Sequence, residues 1–153
     1  MKVVRRQVLV PQTPAQMYAL VNDVRRYPQF LPWCPATIVH SQTPESVHAS
    51  VDFERAGVRM VLTTRNTNVP GERIDMALTD GPLRHFSGGW LFVPIRAAAV
   101  DGVPGEVRGC RVELLIEFEF KSAALGVLFG PLFESTWDSI VDAFVRRARE
   151  VYG

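Results

Sequence analysis

Cysteine and histidine are scarce in this chain. Its 153 residues include two cysteines, Cys34 and Cys110, and three histidines. None of them stands in a CxxC, HExxH or similar pair with the spacing of metal ligands. Two isolated thiols are also typical of proteins from a reducing compartment. We therefore expect no metal site, no resident cofactor and a cytoplasmic location.

Long apolar runs and an excess of one charge are missing as well. Charge or proline interrupts the apolar stretches within about a dozen residues, whereas a membrane-spanning helix needs roughly 20. The opening MKVVRRQVLV lacks the sustained apolar run and the cleavage site of a signal peptide. The 17 basic residues are balanced by 16 acidic ones. This balance does not indicate DNA binding through a broad positive field.

Catalytic signatures are absent too. The sequence contains no G-x-S-x-G nucleophile elbow, no P-loop and no G-x-G-x-x-G turn. The acidic residues of the predicted strands alternate with apolar ones, so most of them fall on the wet face of a sheet. They are not expected to converge as a catalytic pair. The residues by themselves therefore give little support to a catalytic function.

Apolar residues recur with a helical period near both ends of the chain and with a period of two between them. A valine-rich strand over residues 3–10 precedes a helix that begins at Thr13, with Pro14 and Gln16 completing a capping box. From 37 to 121 apolar and polar residues alternate, which is typical of a half-buried antiparallel sheet. We predict about seven strands in total.

Prolines divide the rest of the chain. In RRYPQFLPWCP they disfavour the helical conformation for Tyr27, Leu31 and Cys34, which predicts a rigid aromatic loop. The dipeptide Gly130-Pro131 predicts an interruption, after which apolar residues recur at spacings of three and four to Val151. One long helix is therefore expected to cover the dry face of the sheet, in a single α+β domain over residues 1–153.

The stretch DGPLRHFSGGWLF, residues 80–92, combines aromatic residues with glycines in one strand. Phe86 and Trp90 are expected to fill the core. Gly88 and Gly89 permit either a bend of the sheet or space for a ligand above it.

Four stretches in order carry a family resemblance: LVNDVRRYPQFLPWC at 20–34, GVRMVLTTRN at 57–66, DGPLRHFSGGWLF at 80–92 and AFVRRAREVYG at 143–153. They resemble the coenzyme Q-binding and ribosome-association toxin branch of the START-like, polyketide cyclase-like superfamily. The resemblance implies a helix-grip (Bet v 1-like) fold, in which a curved sheet wraps the C-terminal helix around an elongated apolar cavity. The segment 94–109 is longer than is usual for that family.

The resemblance also implies candidate site residues. Apolar residues expected at the cavity are Trp33, Met60, Leu62, Met76, Phe86, Gly88, Trp90, Phe118, Phe129, Phe133, Trp137 and Val141. Polar contacts to a ligand head group are expected from Arg65, Asn66 and Asp80, although Asp80 could instead hold its turn and Arg65 an ion pair. Contacts to ribosomal RNA phosphates are expected from Arg146, Arg147 and Arg149.

Three functions follow from the resemblance. A non-enzymatic carrier would shelter a polyprenyl quinone such as ubiquinone in support of respiration, with transient contact at the inner membrane. A ribosome-association toxin would bind the large ribosomal subunit and block subunit joining. A polyketide cyclase or aromatase would polarise a carbonyl in the same cavity. We favour the quinone carrier, with no DNA partner.

Overall fold

Seven strands and three α-helices make up the computed structural model, which describes residues 1–153. The strands form one antiparallel sheet in the order β1-β7-β6-β5-β4-β3-β2. In chain order the elements are β1 (Lys2–Val10), α1 (Pro14–Asn22), a 3-10 turn (Val24–Arg26), α2 (Tyr27–Phe30), β2 (Thr37–Thr43), β3 (Ser46–Arg55), β4 (Val58–Val69), β5 (Arg73–Asp80), β6 (Leu83–Arg96), β7 (Val107–Phe120) and α3 (Ala123–Tyr152). The α+β class, the strand number and the long terminal helix predicted from the sequence are confirmed.

Alternation along the strands separates the two faces of the sheet. In β4 the side chains of Met60, Leu62, Thr64, Asn66 and Asn68 are buried, while the residues between them are mostly exposed. The buried face packs against α3, and together they form one continuous hydrophobic core. No helix combines the length and the apolar character needed to span a bilayer.

Helix α1 begins as its sequence predicts. The Thr13 side chain accepts a hydrogen bond from the backbone N–H of Gln16, and the Gln16 side chain accepts one from the backbone N–H of Thr13. Pro14 occupies the first turn, where a missing N–H has no cost. The capping box thus fixes where the first strand ends and the helix starts.

The predicted interruption of the terminal helix at Gly130-Pro131 is wrong. Helix α3 begins at Ala123, with the Ser122 hydroxyl accepting from the Leu125 N–H, and continues through Pro131. The buried side chains of Leu132 and Phe133 follow directly and hold this region on the sheet. Tertiary packing therefore outweighs the hydrogen bond that proline removes.

Two ion pairs connect the sheet edge to the outer face of α3. Lys2 on β1 pairs with Glu134 at 3.1 Å, and Arg6 pairs with Asp138. The paired residues are four apart on both elements, so one edge of β1 runs along the helix.

The aromatic segment after α1 differs from its predicted conformation in one respect. Tyr27 precedes Pro28 yet adopts a helical backbone (φ −50°, ψ −42°), and it opens the short helix α2. Its ring packs edge-on against Phe144 of α3 at 5.7 Å, and its hydroxyl donates to the Val21 carbonyl. These contacts outweigh the preference against helical geometry before proline. Leu31 is extended, as predicted.

The segment 94–109 consists of the ends of two paired strands and the loop between them. β6 continues through Arg96 and β7 begins at Val107, so the connecting loop covers 97–106. Val100 and Val103 pair within the loop across a turn at Asp101 and Gly102, whose φ values are 50° and 75°. The long insertion is thus a hairpin extension that projects away from the core.

Candidate functional site

An internal cavity of about 50 Å³ lies between the sheet and helix α3. Strands β3 to β6 line one side and α3 lines the other, while the segment from Val24 to Trp33 closes the end. The lining residues are Val24, Tyr27, Trp33, Ala49, Val51, Phe53, Leu62, Thr64, Asn66, Met76, Trp90, Trp137 and Ile140. Apart from Thr64 and Asn66 the lining is hydrophobic.

The structure brings together five of the predicted apolar site residues around this cavity: Trp33, Leu62, Met76, Trp90 and Trp137. Others belong to the same core without bordering the cavity, namely Met60, Phe86, Phe118, Phe133, Val141 and the partly buried Phe129. Gly88 does not border it either, and a β-carbon added there would lie 2.0 Å from the Leu115 carbonyl oxygen of β7. The glycine therefore permits close strand approach and does not provide ligand space.

Several lining residues were missed by the sequence analysis. Ala49, Val51, Phe53 and Thr64 lie on the alternating inward faces of β3 and β4, so the period of two contained the signal for them. Tyr27 had no such signal, because its position depends on packing against α3.

Five of the thirteen residues that line the cavity are aromatic. The Trp33 indole stacks on Phe53 with 4.8 Å between ring centroids. Trp90 meets Phe144 edge-on at 5.5 Å, which fixes the indole in its rotamer. All three tryptophans of the chain border the cavity. Their fluorescence is therefore a direct probe of what occupies it.

Unused hydrogen-bond donors lie in this apolar setting. The Thr64 hydroxyl donates to Asn66 Oδ1 at 2.9 Å, which leaves the Asn66 Nδ2 group without a partner in the protein. The Nε1 of Trp137 is buried and also has no partner. For the buried Nε1 of Trp137, the lack of an acceptor costs free energy on the order of 1–3 kcal/mol. The cavity is thus suited to a ligand that supplies hydrogen-bond acceptors.

Burial raises the pKa of two ionisable side chains near the cavity. Desolvation raises the pKa of the Tyr27 hydroxyl above its usual range. Desolvation also raises the pKa of the Cys34 thiol to about 12. The cavity lining contains no carboxylate, imidazole or amine. No cluster of three or more His, Cys, Asp or Glu side chains that could hold a metal ion occurs in the structure.

Two of the predicted head-group contacts lie elsewhere. Arg65 is on the solvent face of β4, opposite the cavity, and it forms no ion pair. Asp80 accepts a hydrogen bond from the Gly81 N–H at 2.9 Å and so stabilises the β5–β6 turn. Side chains alternate between the two faces of a strand, so Arg65 cannot share a face with its neighbour Asn66. Only Asn66 of the predicted polar contacts faces the cavity.

The arginines near the end of α3 differ in availability. Arg147 pairs with Glu150 at 3.2 Å, and its guanidinium lies 5.0 Å from the centre of the Phe30 ring. Arg146 and Arg149 are exposed and form no ion pair. The structure thus leaves two of the three predicted arginines free to contact a phosphate.

An outer cleft of about 200 Å³ adjoins the cavity at Trp33. Across this cleft Arg55 donates a hydrogen bond to Ser135 on α3 at 2.9 Å. Trp33 borders both spaces.

A curved antiparallel sheet wrapped around a long terminal helix, with an apolar cavity between them, defines a helix-grip binding protein. The chain belongs to the family described as "Polyketide cyclase / dehydrase and lipid transport", whose profile it matches over residues 10–145.

Curated relatives cover nearly the whole chain. It is 44% identical over 153 residues to the ribosome association toxin RatA of Vibrio cholerae, covering 100% of this chain and 99% of the relative. It is 28% identical over 139 residues to the mitochondrial coenzyme Q-binding protein COQ10 homolog B of Xenopus laevis, covering 90% of this chain and 54% of that protein.

Solved structures share the fold at low sequence identity. The Zhui aromatase/cyclase from Streptomyces sp. R1128 superposes with a TM-score of 0.76 at 15% identity, covering 97% of this chain and 93% of the other. A START superfamily protein from Mycobacterium smegmatis superposes with a TM-score of 0.74 at 19% identity, covering 97% and 98%. These likenesses establish the START-like architecture and nothing about chemistry.

Proposed function

We propose that this protein binds a hydrophobic small molecule of the polyprenyl quinone class between its sheet and helix α3, as a carrier and not as an enzyme. The observation that carries the proposal is the apolar cavity with two unused donors, Asn66 Nδ2 and Trp137 Nε1. An oxidised quinone ring has carbonyl oxygens that accept hydrogen bonds and no groups that donate them. Its head group therefore complements this cavity.

The small volume of the cavity requires side chains to move when ligand binds. Ligand pockets commonly measure roughly 300–1,000 Å³, whereas the space here is about 50 Å³. Met76 is half-buried in the lining and has a flexible side chain that can repack. Rotation of Trp33 would join the cavity to the outer cleft. The structure thus represents a closed form, and ligand binding is expected to expand it.

The chemistry of the lining supports a carrier. A cyclase or aromatase needs a group that transfers protons beside the reacting carbon. The lining contains no residue that titrates near neutral pH. The Tyr27 hydroxyl already donates a hydrogen bond to the Val21 carbonyl. The name of the Xenopus relative, a coenzyme Q-binding protein, supports the same ligand class.

A fluorescence titration with a short-chain ubiquinone analogue tests the proposal. Because all three tryptophans border the cavity, binding should quench their emission and saturate at about one ligand per chain. Asn66→Leu should weaken binding about tenfold or more, since it removes a donor. Arg65→Gln, on the opposite face of the same strand, is the matched control. Quenching that stays linear and equals that of free tryptophan would overturn the proposal.

Ribosome association is the second candidate. It is supported by the name of the 44% identical Vibrio relative and by the free side chains of Arg146 and Arg149. A surface on the end of α3 does not compete with an internal cavity, so one molecule could have both functions.

Co-sedimentation with large ribosomal subunits tests this candidate. Binding through phosphates should weaken steeply as salt increases. The double change Arg146→Gln/Arg149→Gln should abolish it, while Arg147→Gln, at a residue already paired with Glu150, should preserve most of it. Absence of co-sedimentation at low salt would exclude ribosome binding, and insensitivity to the double change would exclude this surface.

A further inference from the structure

The first part of helix α3 lacks charge on every side. No charged residue occurs from Ala123 to Phe133. Val127 is 80% exposed and Leu128 is 53% exposed. The solvent side of a helix is normally polar, as it is later in α3, where Glu134 and Asp138 occupy it. Contact with water does not favour apolar side chains, so the apolar outer face of this part of α3 needs another explanation.

The exposed apolar residues form one stripe. Ala124, Val127, Leu128 and Pro131 are all exposed and recur at spacings of three and four, which places them on one side of the helix. We call these four residues the apolar stripe. The core-facing side of the same turns carries Leu132 and Phe133. The stripe is therefore additional to the face that holds the helix on the sheet.

Basic residues lie beside the apolar stripe. Lys121 lies two residues before the first residue of the helix, and Arg84 donates a hydrogen bond to the Lys121 carbonyl at 3.1 Å. Both side chains are exposed, and neither forms an ion pair. The acidic residues of this region are Glu134, paired with Lys2, and the half-buried Glu119. Lys121 and Arg84 thus remain unpaired next to the exposed apolar side chains, and against one unpaired carboxylate, Glu119, they leave a net positive charge.

We propose that the apolar stripe, with Lys121 and Arg84, is a docking surface for a bilayer that contains anionic phospholipid. Apolar side chains flanked by cations match the boundary between acyl chains and negatively charged head groups. RNA would complement the cations but not Val127 and Leu128. The biological role of this surface rests on the proposed carrier function, because a water-insoluble ligand has to be collected at a membrane. The stripe is short, so docking is reversible.

Vesicle co-sedimentation of the full chain tests the surface. The probes are phosphatidylcholine vesicles with and without about one third phosphatidylglycerol. We expect binding to the anionic vesicles, weaker binding to the neutral ones, and a decrease with added salt. Val127→Glu/Leu128→Glu should reduce anionic binding about tenfold or more, because it places charge where the stripe contacts lipid. Lys121→Gln/Arg84→Gln should remove most of the salt dependence.

Val100→Glu/Val103→Glu is the matched control, since these valines are 68% and 64% exposed on the loop over 97–106. This variant should bind anionic vesicles nearly as well as the parent protein. Cooperative thermal melts of both glutamate variants would show that they are folded. Equal binding of the Val127/Leu128 variant and the parent, or no binding of the parent to either vesicle, would overturn the inference.

A quinone titration without vesicles separates this inference from the proposed function. If quinone quenches the tryptophan emission saturably but the protein does not bind vesicles, the docking surface is overturned and the proposed carrier function is not. Vesicle binding through the stripe in a protein that shows no saturable quenching would overturn the quinone proposal alone.

Discussion

A β-carbon added to Gly88 would lie 2.0 Å from the carbonyl oxygen of Leu115 on strand β7. Gly88 also has a φ of 148°, which L-residues with side chains rarely adopt. Strands β6 and β7 therefore approach each other at a point where neither the backbone conformation nor the space accepts a side chain. The glycines of SGGW thus allow neighbouring strands to approach closely and do not provide space for a ligand.

Gly88→Ala should destabilise the protein by about 3 kcal/mol or more, since it combines a clash with backbone strain. Chemical denaturation would measure the loss. Gly126→Ala is the control: its β-carbon would meet only the Phe120 side chain, at an ordinary contact distance of 3.7 Å, and in a helix it should stabilise by up to about 1 kcal/mol. Equal stabilities of the two variants would mean that the close strand approach is wrongly described.

Trp137→Asp should abolish the cooperative thermal transition. The residue is 4% exposed between helix and sheet, and burial of an unpaired carboxylate costs several kcal/mol, comparable with the stability of a whole domain. Ser139→Asp places the same group on the exposed side of α3 and should change the melting temperature little. A normal melt of Trp137→Asp would contradict the assignment of the buried helix face.

Pro131→Ala should stabilise the protein. Proline inside a helix costs about 3 kcal/mol relative to alanine, partly offset by about 1 kcal/mol from the less flexible unfolded chain. We expect a higher denaturation midpoint. Pro70 occupies a turn closed by a hydrogen bond from the Glu72 N–H to the Val69 carbonyl at 2.9 Å, so Pro70→Ala should be neutral or destabilising. A lower denaturation midpoint for Pro131→Ala than for the parent protein would show that Pro131 stabilises the helix.

Stability should decline above pH 9. Burial raises the pKa of Cys110 from 9.0 to about 11 and that of Cys34 from 9.0 to about 12. As the pH rises past 9, the unfolded chain loses these protons first, so the free energy of unfolding falls until the folded pKa is reached. Below pH 9 this contribution is fully present.

Denaturation curves between pH 8 and pH 10 would measure this decline, with the ordinary thiol pKa of 9.0 at the centre of the range. Cys34→Ala/Cys110→Ala should show a shallower slope with pH, whatever its absolute stability. Tyr27, whose pKa is also raised, would continue the decline at higher pH. An unchanged slope in the double variant would show that the thiols do not contribute.

Half of the candidate site could be predicted from the sequence. Trp33, Leu62, Asn66, Met76, Trp90 and Trp137 were predicted and border the cavity. Met60 and Phe118 have the same inward alternation but pack away from it. Periodicity identifies the face on which a side chain lies. It does not identify which inward side chains border an unfilled space, because that depends on the separation of sheet and helix at each point.

The sequence by itself determined the order of the elements, the alternation of the strands and the capping box of Thr13, because each depends on residues close together in the chain. Only the tertiary structure decided that α3 continues through Pro131, that Tyr27 is helical before a proline, and that Gly88 lies against Leu115. In each case contacts between distant segments outweigh a local preference worth a few kcal/mol at most. The tertiary structure also decided that the donors of Asn66 and Trp137 are unpaired. Whether a donor finds an acceptor depends on residues from distant parts of the chain.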